Sequence, residues 1–108
     1  MTITSELEYL PLGKEFNGRG SQRDWCFRLI KREGMLAIYE KRNEGSMVYE
    51  VVRIKNDKGG MRKLGDSMVV FEPKERYPSD EAFGVDGWSY GRLVDAEERF
   101  YSLIGVKY

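Results

Sequence analysis

The stretch "WCFRLIKREGMLAIYEKRNEGSMVYEVVRIK", Trp25–Lys55, decides the fold. Trp25, Phe27 and Leu29 alternate with Cys26, Arg28 and Ile30, a period of two that predicts a strand over Trp25–Lys31. "REG", Arg32–Gly34, reads as a hairpin turn with a glycine free to take positive φ. Met35–Lys41 is a second strand, with Met35, Ala37 and Tyr39 opposing Leu36, Ile38 and Glu40. "RNEGS", Arg42–Ser46, turns the chain again, and Met47–Lys55, rich in β-branched residues, is the third strand. Turns this short join neighbours, so the three strands form an antiparallel meander.

Working outward, "NDKGGMRKLGD", Asn56–Asp66, reads as a polar connection, and "SMVVFE", Ser67–Glu72, as a fourth strand stopped by Pro73. In "LVDAEERFYSLI", Leu93–Ile104, residues Leu93, Ala96, Phe100, Leu103 and Ile104 share one helical face. Asp95, Glu97 and Glu98 sit near the positive end of that helix, and Gly105 is a stop signal. On the N-terminal side, Ser5–Phe16 reads as an extended segment broken at Pro11, and Asn17–Asp24 as a loop. The expected fold is one α+β domain over residues 1–108: an antiparallel sheet of about four strands packed by one C-terminal amphipathic helix. A twelve-residue helix is ~18 Å long and covers one sheet face only. The strands are apolar on both faces, so the second needs a cover. The N-terminal segment is the first candidate; a second copy or a foreign partner is the alternative.

The stretch "YPSDEAFGVDGWSY", Tyr77–Tyr90, has two readings. Pro78 biases Tyr77 to extended backbone, Ser79 suits a helix N-cap, Asp80 and Glu81 suit a first turn, and Gly84 suits its end. A short helical turn over 79–83 follows, and "VDG", Val85–Gly87, is a further reversal. In the structural reading, Tyr77, Phe83, Trp88 and Tyr90 clamp the fourth strand to the helix. In the functional reading they form a stacking platform or an anchor for a protein partner. Aromatics so close to an amphipathic helix favour the structural reading.

"YPSDEAFGVDGWSY" followed by "LVDAEERF" resembles the C-terminal signature of a family of short uncharacterised bacteriophage and mobile-element proteins. Those read YP-x-[SN]-x-x-[FW]-G-x-x-[GA]-W-[ST]-[YF] and then an L-x-x-A-x-x-x-F helix. "EFNGRGSQRDWCFRLI" is similar to that family's G-x-G…F-x-F lead-in to the sheet, and "MVYEVVRI" to its YEV strand. The chain departs in having Ser79-Asp80 directly after Pro78. The resemblance implies a phage or prophage origin and carries no catalytic residues.

Composition narrows the chemistry. The chain of 108 residues has zero formal net charge, so no global basic field draws it to nucleic acid or anionic lipid. It has no histidine, which removes histidine-based triads, acid–base work and most zinc sites. The single cysteine, Cys26, forms no internal disulfide and is read from its strand position as a small buried hydrophobe. The spacing of Asp80, Glu81 and Asp86 fits no metal loop, and "GRG", Gly18–Gly20, lacks the context of a phosphate-binding loop. The N-terminus has neither a basic nor an apolar leader region, and no apolar run approaches the ~20 residues of a membrane span.

One segment offers a polyanion contact. "RIKNDKGGMRK" holds Arg53, Lys55, Lys58, Arg62 and Lys63 against Asp57 alone. The expected function is that of a small non-enzymatic accessory protein in the host-cell cytoplasm. It would bind a protein partner of host or phage and inhibit a host or defence factor by steric occlusion. The contact would be the exposed sheet face or the basic loop. The candidate binding residues are Arg53, Lys55, Lys58, Arg62 and Lys63, with Tyr77, Trp88 and Tyr90. Nucleic-acid binding through the 53–63 loop is the second reading, and a homodimer is compatible with either. No catalytic residue, cofactor, metal or membrane partner is assigned.

Overall fold

The structure is a computed structural model that describes residues 8–105. The part of the extended N-terminal segment before Glu8, and the reading of the N-terminus as no leader peptide, lie outside the described residues. The meander is present as β2 (Cys26–Glu33), β3 (Leu36–Arg42) and β4 (Met47–Arg53). β1 (Glu15–Asn17) and β9 (Gly87–Tyr90) add to its two sides, giving an antiparallel five-stranded sheet in the order β1-β2-β3-β4-β9. One helix, α1 (Leu93–Ile104), lies across it, as expected of the α+β class. α1 ends at Gly105, whose φ of 77° lets its N–H reach back to the carbonyls of Tyr101 and Ser102. Among the described residues, no helix is long and apolar enough to cross a membrane.

At the centre of the sheet successive rungs point to alternate faces, Ile38 and Val51 to one and Ala37 and Val52 to the other. Leu36, Ile38 and Val51 pack against Ala96 and Phe100 of α1. Phe27, Ala37, Tyr39, Val52 and Ile54 occupy the opposite face. That face is covered by the chain itself: Leu12, Phe16 and Trp25 from the N-terminal side, and Tyr77 and Phe83 from the stretch before β9. Phe16 stacks on Phe27 with centroids 4.8 Å apart, and Tyr77 meets Phe16, Phe27 and Tyr39 edge-on. The Tyr39 hydroxyl donates to the Gly13 carbonyl at 2.8 Å and ties the N-terminal segment down.

A bulge in β2 sets which charges go where. Leu29 pairs with Tyr39 but Lys31 pairs with Ile38, so Ile30 is an extra residue and the parity of the strand reverses. Ile30 and Lys31 both turn to the helix side, where Lys31 meets Glu97 at 3.5 Å and donates to the Tyr101 hydroxyl. Arg32 passes to the other face and grips Glu75 with two hydrogen bonds at 2.8 and 2.7 Å. The paired guanidinium holds the Glu75 carboxyl below its ordinary range. Glu75 also accepts from the Leu12 N–H at 2.8 Å, so one carboxylate joins β2 to the N-terminal cover.

Three expectations are corrected. Residues 67–71 do not join the sheet: β7 (Ser67–Phe71) pairs only with β6 (Gly60–Leu64), inside what read as a polar connection. The Gly65-Asp66 pair, with Gly65 at φ 63°, closes a tight two-residue hairpin, and the local strand partner wins over the distant sheet. The place beside β4 goes to β9. Short β5 (Lys55–Asp57) and β8 (Lys74–Arg76) pair beneath the hairpin as its stalk. Cys26 is exposed rather than buried, because its side of the sheet at the Arg42 rung lies beyond the apolar cluster under α1; its thiol donates to Asn17 Oδ1 at 3.3 Å. The four aromatics of 77–90 do not clamp 67–72 to the helix. Tyr77 and Phe83 pack on the face away from α1, and Trp88 and Tyr90 on the helix side. The expected turn near 79–83 is present as a 3-10 turn over Asp80–Ala82.

Phe100 has no exposed surface and Val94, on the same helix, is an exposed position. Phe100→Ala is expected to lower stability by about 3–5 kcal/mol, and Val94→Ala to change it by no more than about 0.5 kcal/mol, both read from urea unfolding.

Candidate functional site

The basic segment is largely engaged by its own chain. Arg53 ends β4 with its guanidinium 5.5 Å from the Trp88 ring centre, a cation–π arrangement. Lys55 in β5 pairs with Asp86 at 2.8 Å. Asp57 accepts from the Gly59 N–H at 2.9 Å and binds Arg76 and Arg62, which together hold its carboxyl below the ordinary range. Arg62 also lies over the Phe71 ring at 4.9 Å. Lys58 and Lys63 make no ion pair among the described residues. The segment is thus a stalk tied by Asp57 and Asp86, with two free ammonium groups, rather than an open row of five cations.

The aromatic stretch is mostly a structural junction. The Tyr77 hydroxyl donates to Glu50 Oε1 at 2.7 Å, and the Ser89 hydroxyl donates to Glu50 Oε2 at 2.9 Å. Burial first, and then the Glu50 charge, push the Tyr77 phenol far above its ordinary range. Gly87 lies under the Phe83 ring, where a Cβ would stand 2.9 Å from ring carbons. Trp88 is flanked by Arg53 and by Arg99, the latter at 5.2 Å, and the Tyr90 hydroxyl accepts from Arg99 Nε at 2.8 Å. Both rings are half-buried against the helix-side cluster. Of the three acids weighed for a metal, two are otherwise engaged: Asp80 accepts from Gln22, and Asp86 pairs with Lys55.

The surface that sequence reading missed is the β6–β7 hairpin, called the arm below. All five residues of β6 are exposed. Pairing sets Met61 opposite Val70 and Lys63 opposite Met68, so these four share one face. Met61 is 65% exposed, Met68 58% and Val70 70%, and none of the described residues covers them. The opposite face is partly closed by Arg62 over Phe71. An isolated two-stranded hairpin is marginal in water, and an apolar face on one is a surface awaiting contact. The signal for it was present in "GMRKLGDSMVVF", two short alternating runs about a Gly-Asp pair.

Tyr77 provides a pH test of the junction. A phenol kept neutral by the fold adds stability that is full below the ordinary value of about 10 and is lost as pH rises beyond it. Tyr39, raised mainly by burial, acts in the same direction. Absorbance titration of the seven tyrosines is expected to show a late class that ionises only with unfolding, and Tyr77→Phe should remove part of it. Tyrosines that all titrate near 10 in the folded protein would contradict the buried junction. Compared with known proteins, the chain matches no family model, no curated protein and no solved structure.

Proposed function

We propose that this chain is a non-enzymatic binding protein that works by occupying the surface of a protein partner, with the arm as its contact. The observation that carries this reading is the exposed Met61, Met68 and Val70 grouped around the unpaired Lys63. Methionine side chains adapt to irregular apolar surfaces, and a lone ammonium among them gives direction. The complementary partner surface is an apolar depression flanked by carboxylates. Of the two contacts expected from sequence, the sheet face is covered by the chain itself and the basic segment supplies only Lys58 and Lys63 as free charges. Three engaged cations of five weigh against phosphate gripping as the main work. The resemblance in Tyr77–Phe100 attaches the reading to phages and mobile elements. It makes a host-cell cytoplasmic protein, with inhibition by steric occlusion, the natural setting.

The test compares the wild-type chain with Met68→Asp/Val70→Asp and with Lys63→Glu. Each is used as tagged bait in lysate of a bacterial host, with and without nuclease. The variants alter only exposed side chains, so circular dichroism and melting should match wild type. The expected result is a protein captured by wild type, retained after nuclease and lost with both arm variants. Capture that ignores the arm changes, or that disappears with nuclease, overturns the proposal. A wild-type mass in solution that doubles through the arm would overturn it too, in favour of a second copy as the occupant.

A further inference from the structure

The cover over the face away from α1 is incomplete. Between the 10–13 segment, the 17–22 loop and residues 74–80 lies a cavity of about 630 Å³. Its apolar lining holds four aromatic rings, Phe16, Phe27, Tyr77 and Phe83, beside leucines and prolines at positions 10–12 and 78. One polar atom in its wall, Gln22 Oε1, lacks the partner that burial demands, and one cation, Lys41, has only a long ion pair. The Lys41 side chain is only 12% exposed, and its ammonium stands 3.7 Å from Glu50 Oε2, beyond hydrogen-bond reach. Both Glu50 oxygens already accept hydroxyls, from Tyr77 and Ser89. The remaining neighbours of the ammonium are the Trp25 and Phe27 rings, at 4.8 and 5.6 Å. Lys41 therefore carries three N–H donors and makes no hydrogen bond among the described residues. Gln22 is the converse. Its Nε2 donates to Asp80 at 3.2 Å, while its Oε1 is a buried acceptor with no donor among the described residues.

The balance of charge around the cavity is positive. Glu75 is neutralised by Arg32, Arg76 by Asp57 and Lys41 by Glu50; among the described residues Arg19 and Lys74 line the opening without an ion-pair partner, against the one unpaired carboxylate of Asp80. The cavity thus presents an ammonium with hydrogen-bond donors to spare, one acceptor needing a donor, four aromatic rings and a small net positive charge. We infer that it binds an apolar carboxylate bearing a neighbouring N–H, the chemistry of an N-acylated apolar amino acid or of a peptide's C-terminal end. The carboxylate meets Lys41, the N–H meets Gln22 Oε1, and the apolar group lies against Phe16, Phe27, Tyr77 and Phe83. This site is independent of the arm and stands or falls separately from it.

The probes are N-acetylphenylalanine, its C-terminal amide, and 3-phenylpropanoate, which keeps the carboxylate but lacks the N–H. Each is titrated into the 15N-labelled full chain and followed by amide and glutamine side-chain shifts. The expected result is saturable binding of N-acetylphenylalanine that moves Gln22 and Tyr77 resonances, with the amide weaker by about tenfold or more for want of a charged hydrogen bond. Lys41→Gln, checked for folding by its spectrum, is expected to remove the preference for the free acid. Absence of saturable shifts, or equal affinity for acid and amide in the wild type, overturns the site whether or not the variant folds. Equal binding of 3-phenylpropanoate overturns the peptide end in favour of a free organic acid. Shifts confined to the arm would also overturn the cavity as the site.

Discussion

Ala37, Ile38, Tyr39, Val51 and Val52 have no exposed surface, and they point alternately to opposite sides of two adjacent strands. A sheet that is apolar on both faces at its centre cannot stand in water with one cover. The amphipathic helix supplies one layer. The other has to be assembled from pieces too short to be elements: a few residues ahead of β1, Trp25, and two rings from the approach to β9. This demand places Glu75, Tyr77 and Glu50 where they are, because each piece of the improvised layer needs its own polar fastening.

The fastenings share a design. A carboxylate on or beside the sheet accepts from two or three groups of distant parts of the chain, as Glu50 does from β9 and residue 77, and Glu75 from β2 and residue 12. Each carboxylate contributes through several hydrogen bonds at once rather than through a surface ion pair, which alone is worth little. The β2 bulge belongs to this design. By reversing the strand's parity it sends neighbouring cations to opposite faces, Lys31 to the helix and Arg32 to the N-terminal cover.

The elements whose partners are near in sequence were legible without coordinates. The three-strand meander and the C-terminal helix with its glycine stop follow from local periodicity and C-terminal capping; the turn at Asp80–Ala82 also lies where expected, although the Ser79 side chain makes no cap bond. The decisions between competing partners were not legible. "SMVVF" has strand periodicity whether it joins the sheet or folds back on "GMRKL", and only the pairing energy of the whole decides. Cys26 followed the parity predicted for its strand, but parity says which side a residue faces and not how far along that side the helix reaches. The candidate residues divide in the same way. Tyr77, Trp88 and Tyr90 were named as alternatives between core and surface, and their rings pack against the two clusters. Lys58 and Lys63 could not be told from Arg53, Lys55 and Arg62, because their counter-charges, Asp86 and a ring from β9 among them, lie about thirty residues away or depend on a hairpin not foreseen.

The arm leaves the sheet after β4 and the chain returns to it at β9, beside the strand it left. Everything from Gly60 to Phe71 is therefore an excursion whose two ends are already brought together by the β5–β8 pair. Closing a longer or shorter excursion between fixed ends changes the free energy only slowly with its length. Neither apolar cluster contains a residue of it. Substitutions, insertions and even exchange of the whole excursion are thus shielded from the selection that preserves folding. The protein separates inheritance of its scaffold from inheritance of its exposed arm: a dozen residues can be rewritten while the remainder stays constant.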